Sequence, residues 1–165
     1  MTELEVRIVH LEPMRVACAS GFGQSPEDEA WSKLVAWAAS KGLLDDLEAV
    51  RFFGYNNPDP SPGSPNYGYD QWITVGPDVE AEGDVRIIES PGGLYAVTGC
   101  RLSNIGDAWR QLAAWCEDSR YRCAHHQWLE ECLNPEVFIT PEGQAPAPES
   151  SYGDVELDIY LPIAE

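Results

Sequence analysis

Two stretches of the chain carry the same order of apolar and polar positions. VRIVHLEPMRVACASG, starting at Val6, and VRIIESPGGLYAVTGC, starting at Val85, each read as a strand, a break at Pro or Gly, and a second extended run. Both second runs are rich in β-branched and small residues, which suit a pleated surface. The period then changes. DEAWSKLVAWAASKGLL and GDAWRQLAAWCEDSRYR share the skeleton A-W-x-x-L-x-A-W, at Ala30–Trp37 and Ala108–Trp115. Trp31, Leu34 and Trp37 fall within an arc of about 120° on a helix, as do Trp109, Leu112 and Trp115, so each segment is an amphipathic helix. Ser25 as N-cap, Pro26 at the first helical position and acids at 27–29 start the first helix, and Gly42 is placed to end it. Asn104 is the candidate N-cap of the second, with Asp107 three residues on.

Further extended runs follow each helix: Val50–Tyr55 and Tyr69–Val75 in the first half, His126–Leu133 and Val155–Ile163 in the second. Pro-, Gly- and Ser-rich loops, NNPDPSPGSPNYG and TPEGQAPAPESSYG, separate the members of each pair. Loops this long inside a compact domain serve a site or move. The chain is thus a duplicated β-α-β-β unit, repeat 1 over about 1–80 and repeat 2 over about 81–165, in one domain of 165 residues. One unit leaves a sheet too small to bury its helix well. The expected fold is α+β, an antiparallel-rich sheet with two helices on one face and a ligand cleft at a pseudo-twofold axis.

Composition narrows the function. Ten basic against 28 acidic residues give a formal charge of −18, which repels phosphate backbones and argues against direct nucleic-acid binding. The same charge attracts cations, or a basic patch on a protein partner. No run approaches the length of a membrane span, and the N-terminus lacks a basic start and apolar signal run. Five scattered Cys without a C-x-x-C pair read as reduced thiols of a cytoplasmic protein. His125 and His126 are adjacent, and strand neighbours point to opposite faces, so no metal site is expected. No P-loop, G-x-G-x-x-G or G-x-S-x-G is present, and no cofactor is expected.

The A-W-x-x-L-x-A-W helices, R-F-F-G-Y at Arg51–Tyr55, the stretch ending at Asp70, W-L-E-E-C-L at Trp128–Leu133 and D-I-Y-L-P-I at Asp158–Ile163 together resemble GyrI-like domains. That family includes a gyrase-inhibitory protein and the effector-binding domains of AraC- and MerR-type multidrug regulators. The resemblance runs over nearly the whole chain, in order. It implies a stand-alone domain, without the DNA-binding region of the regulators, that senses or sequesters amphipathic or cationic drug-like molecules. It also implies two alternatives. One is hydrolysis of cyclopropane-type electrophiles, with Glu130 as general acid or base. The other is inhibition of gyrase or another protein partner.

The family pattern Phe-Glu-x-Tyr-Leu, laid on Leu129–Leu133, assigns the central acid to Glu130, with Cys132 replacing the Tyr. Strand alternation puts Trp128, Glu130 and Cys132 on one face, and Leu129 with Leu133 on the face suited to packing under the helices. The resemblance to the multidrug regulators adds Trp31 and Phe53 as aromatic wall. Trp109 is the repeat counterpart of Trp31, and Tyr69 and Trp72 are further candidates. Trp37 and Trp115 are expected in the core.

Overall fold

The computed structural model describes residues 5–23, 26–56, 66–134 and 155–165. The candidate N-cap Ser25 and most of the two Pro/Gly-rich loops lie outside the described residues. The chain is α+β and divides into two compact units. Among the described residues no helix is long and apolar enough to cross a membrane.

One unit holds the described residues between 14 and 90. Its strands are β2 (Met14–Gly23), β3 (Phe52–Asn56), β4 (Tyr67–Thr74) and β5 (Arg86–Ser90), with helix α1 (Pro26–Ser40). They pair antiparallel in the order β3-β4-β2-β5. Helix α1 begins at Pro26, whose missing N–H costs nothing in the first turn. It ends in a left-handed cap: Gly42 has φ +73°, its N–H reaches Ala39 O at 3.2 Å, and Leu43 N–H reaches Ala38 O at 3.0 Å. These two bonds satisfy carbonyls the helix leaves over. Trp31, Leu34, Val35, Trp37 and Ala38 are buried. Gly21 lets the helix sit close, since a Cβ there would come within 2.2 Å of Pro26 O.

The other unit holds the described residues 5–13, 91–134 and 155–165. It contains β1 (Arg7–Leu11), β6 (Gly93–Arg101), helix α2 (Ile105–Asp118), β7 (Arg122–Cys123), β8 (Leu129–Cys132) and β9 (Glu156–Ala164). The order is β1-β6-β9-β8, with β7 also paired to β9, again antiparallel. Helix α2 packs Ala108, Leu112 and Cys116 on Ala96, Ile159 and Ile163. The buried stripe is therefore 108–112–116, and Trp109 and Trp115 flank it half-buried. Asn104 does not cap α2 with its side chain; its Oδ1 accepts the Arg101 N–H at 2.9 Å and closes the preceding 3-10 turn.

Each unit completes its sheet with a strand from the other half of the sequence. β1, the opening strand of the chain, pairs with β6, while β5, the opening strand of the second half, pairs with β2. The break residues permit this, because Gly92 (φ +72°) packs so closely on Leu11 O that a Cβ would lie 2.1 Å away.

Candidate functional site

Helix contacts decide which face of each sheet a residue occupies. In the unit built on β8 and β9, Glu130 is in register with Ile159, and Ile159 packs under α2. Glu130 thus stands on the helix face, next to α2. The Trp109 indole on that helix donates from Nε1 to Glu130 Oε2 at 2.9 Å. Trp128 meets Trp109 edge-on, with centroids 5.4 Å apart and planes at 80°. Two indoles and a carboxylate, all half-buried, form one cluster. Neighbouring charge also reaches a thiol on this face. Burial pushes the Cys100 thiol up to about 11, and Glu130 and Asp158 add to the shift.

The alternation proposed for β8 is corrected in one respect. Leu129 is in register with Tyr160 and is fully buried on the face away from α2. Leu133 lies past the strand end and is 41% exposed. The reason is α2 itself, which docks its Leu112–Cys116 stripe on Ile159 and Ile163 and so claims the face of Glu130. Glu131 shares the face of Leu129, buried, and accepts the Tyr160 hydroxyl at 2.6 Å.

In the unit built on α1, the predicted aromatics divide between two faces. Trp31 on α1 packs on Phe52 at 5.1 Å, which marks the helix face. Tyr69 stands on that face, two residues from Gln71, which is in register with Gly54. Its ring occupies the space a Gly54 Cβ would need, at 2.5 Å. Phe53 and Trp72 are in register on the opposite face, with centroids 6.5 Å apart, and Tyr55 meets Trp72 at 5.3 Å. Trp72 is 4% exposed, and its Nε1 has no acceptor among the described residues. So Trp109, Trp128 and Glu130 come together, Trp31 and Tyr69 share the α1 face, and Phe53 with Trp72 lie behind the sheet from them.

The face away from the helix carries a second pattern that reading by elements missed. Asp70, 1% exposed, accepts Ser20 Oγ at 2.5 Å and Arg86 Nη2 at 3.2 Å, while Arg86 Nη1 donates to Ser20 Oγ at 3.0 Å. In the other unit Arg7 Nη2 lies 2.9 Å from Asp158 Oδ2. That carboxylate holds the Arg7 guanidinium above its ordinary value. Arg7 and Arg86 occupy the same place in the repeated V-R-I, and Asp70 and Asp158 the same place in D-Q-W and D-I-Y. The repeat was the available signal. Burial and the Asp70 charge raise the Tyr55 hydroxyl well above its ordinary value, and burial pushes the Cys18 thiol up to about 11. Among the described residues no three of His, Cys, Asp and Glu converge to hold a metal.

Comparisons with known proteins agree with this fold. The C-terminal domain of EcmrR superposes with a TM-score of 0.68 at 12% identity, covering 99% of both chains. In the EcmrR–DNA complex the match covers 98% of this chain but 57% of that one, with a TM-score of 0.65 and 12% identity. A hydrolase from Listeria innocua gives 0.62 at 12% identity over 99% of this chain and 94% of its own. The integron cassette protein VCH_CASS2 of Vibrio cholerae gives 0.55 at 11% identity over 96% and 95%. A search of curated proteins by sequence gives no match. The family described as integron-associated effector binding proteins matches residues 7–163, nearly the whole length. The chain belongs to that family, as a GyrI-like small-molecule-binding domain.

Proposed function

We propose that this domain binds amphipathic organic cations at the Trp109–Trp128–Glu130 cluster, with the indoles as walls and the carboxylate as counter-charge. The observation that carries this reading is the direct contact of Glu130 with Trp109, beside the edge-on Trp128. A cation over an indole gains about 0.5–2 kcal/mol, more as water is excluded. A carboxylate held beside the rings by an N–H donor adds a charge-assisted contact of about 1.5–3 kcal/mol. The chain's charge of −18 raises the local cation concentration from longer range. Trp31 and Tyr69 on the α1 face, and Phe53 and Trp72 behind it, are all buried and are read as aromatic packing that supports the sheet.

The test is a titration with a quaternary aromatic cation and its uncharged isostere, followed by calorimetry and Trp fluorescence. The cation binds at roughly micromolar affinity, about −8 kcal/mol, and quenches the emission. The isostere binds more weakly. A panel of such cations that changes neither emission nor melting temperature removes the reading.

A further inference from the structure

Five cysteines are present, and two of them face each other where the proposed binding site plays no part. The Cys116 and Cys123 sulfurs are 3.5 Å apart, separated by seven positions in sequence. Cys116 is in the last turn of α2 and 1% exposed, while Cys123 is on the two-residue strand β7 and exposed. Local structure holds them there. Ser119 N–H and Oγ both donate to Cys116 O, and Tyr121 N–H donates to Ser119 Oγ at 3.1 Å. Trp115 stacks on Tyr121 at 6.2 Å with planes 23° apart. On the far side Cys123 is in register with Ile163 of β9.

We propose that Cys116 and Cys123 form a reversible intramolecular disulfide that clips the end of α2 to β7, with a hydroperoxide as oxidant. The exposed thiol reacts first: the Cys123 sulfur attacks one peroxide oxygen, the O–O bond breaks, and the other oxygen leaves with the thiol proton, as water from hydrogen peroxide or as an alcohol from an organic hydroperoxide, giving a sulfenic acid. The Cys116 sulfur then attacks Cys123 Sγ, an S–S bond replaces the S–O bond, and the hydroxyl departs as water with the Cys116 proton. Two thiols lose two electrons in all, and the peroxide gains them. The short gap requires only a small side-chain rotation to reach bonding distance.

The other cysteines do not compete. Cys100 and Cys132 are both in register with Leu157, on opposite sides of β9, and so stand roughly 9–10 Å apart, too far to bridge. Cys18 is fully buried in the other unit, its thiol pushed up to about 11. Burial also raises Cys116, which suits a resolving thiol rather than the one first oxidised.

The test treats the whole protein with one equivalent of hydrogen peroxide, followed by thiol titration under denaturing conditions and non-reducing peptide mapping. Two of the five thiols disappear, the 116–123 peptide pair is found joined, and dithiothreitol restores both. The melting temperature of the oxidised form rises by roughly 5 °C. A Cys100→Ala, Cys132→Ala double variant behaves the same, whereas Cys116→Ala yields Cys123 sulfenic acid or a Cys123-linked dimer. Sulfinic acid at Cys123 of the unaltered protein, or a Cys123-linked dimer with Cys116 still reduced, overturns the proposal.

Discussion

Glu130 and Glu131 differ by one position and by a whole sheet face. Glu130 meets an indole N–H under α2, whereas Glu131 is buried opposite and bonded to Tyr160. A neutral isostere therefore separates their roles. In Glu130→Gln, organic cations lose about 1–3 kcal/mol of binding by calorimetry, and uncharged ligands of equal size bind as before. Glu131→Gln and Asp158→Asn leave cation binding within twofold. Equal losses at 130 and 131 assign the site elsewhere. Should the protein turn over a strained cyclopropane electrophile, Glu130→Gln lowers that rate by ~10²-fold or more, the scale of a lost general acid or base.

Buried neutral acids also set an alkaline limit at this scale. Burial pushes Cys18 from 9.0 up to about 11, and Tyr95 from 10.0 up to about 12. Both groups keep their protons in the fold after the unfolded chain has lost them. The stability they contribute is whole below the unfolded values and falls as pH rises through the folded ones. Melting temperature should hold to about pH 9 and drop between 9 and 12, with Cys18 accounting for on the order of 1–2 kcal/mol. Cys18→Ala should flatten the first part of that slope; an unchanged slope would rule out Cys18 as a source.

Among the elements, the helices were legible because their apolar period is long and repeated. What shifted was the stripe. In α2 the pair Trp109 and Trp115 flanks Ala108–Leu112–Cys116 half-buried, whereas Trp31 and Trp37, at the same repeat positions of α1, are buried. Leu112 is fully buried in that stripe, and Leu112→Ala should cost about 2–5 kcal/mol by denaturant unfolding. α1 depends on a glycine beneath it. Gly21→Ala drives a Cβ within 2.2 Å of Pro26 O, backbone that cannot swing aside. We expect a loss of about 2–4 kcal/mol, read by thermal melting, against about 1 kcal/mol for Gly42→Ala at the left-handed cap. Reversed order would mean that α1 does not lie on β2 as described. The short strands were less legible: β8 covers Leu129–Cys132 where an extended run over His126–Leu133 was expected, and β7 has only two residues, too few to show a period.

For the whole molecule, the strand exchange is the largest departure from what the linear repeat suggests. Repeat 1, read as about 1–80, contains β1 but not β5, yet the α1 unit is completed by β5 and its Arg86. A fragment of residues 14–90 should therefore retain more strand and helix signal by circular dichroism than a fragment of residues 1–80. Equal loss of structure in both would show that β5 is dispensable to that sheet. Arg86→Met should destabilise the full chain by about 1–2 kcal/mol, because it removes the cation from a carboxylate that is 1% exposed while the guanidinium itself is half in water.

By itself the sequence determined the inventory: two amphipathic helices with paired Trp, four pairs of extended runs, an acidic surface, and the ordered motifs of an effector-binding family. These rest on local periodicity and composition, which need no partner to be read. Tertiary structure alone decided which face of β8 meets α2, and so which glutamate touches an indole. It also decided that each opening strand joins the sheet of the other half, which puts Arg86 on Asp70 and Arg7 on Asp158. The physical reason is that a strand offers two equivalent faces and two open edges. Only the helix that covers one face, and the strand that fills one edge, distinguishes them.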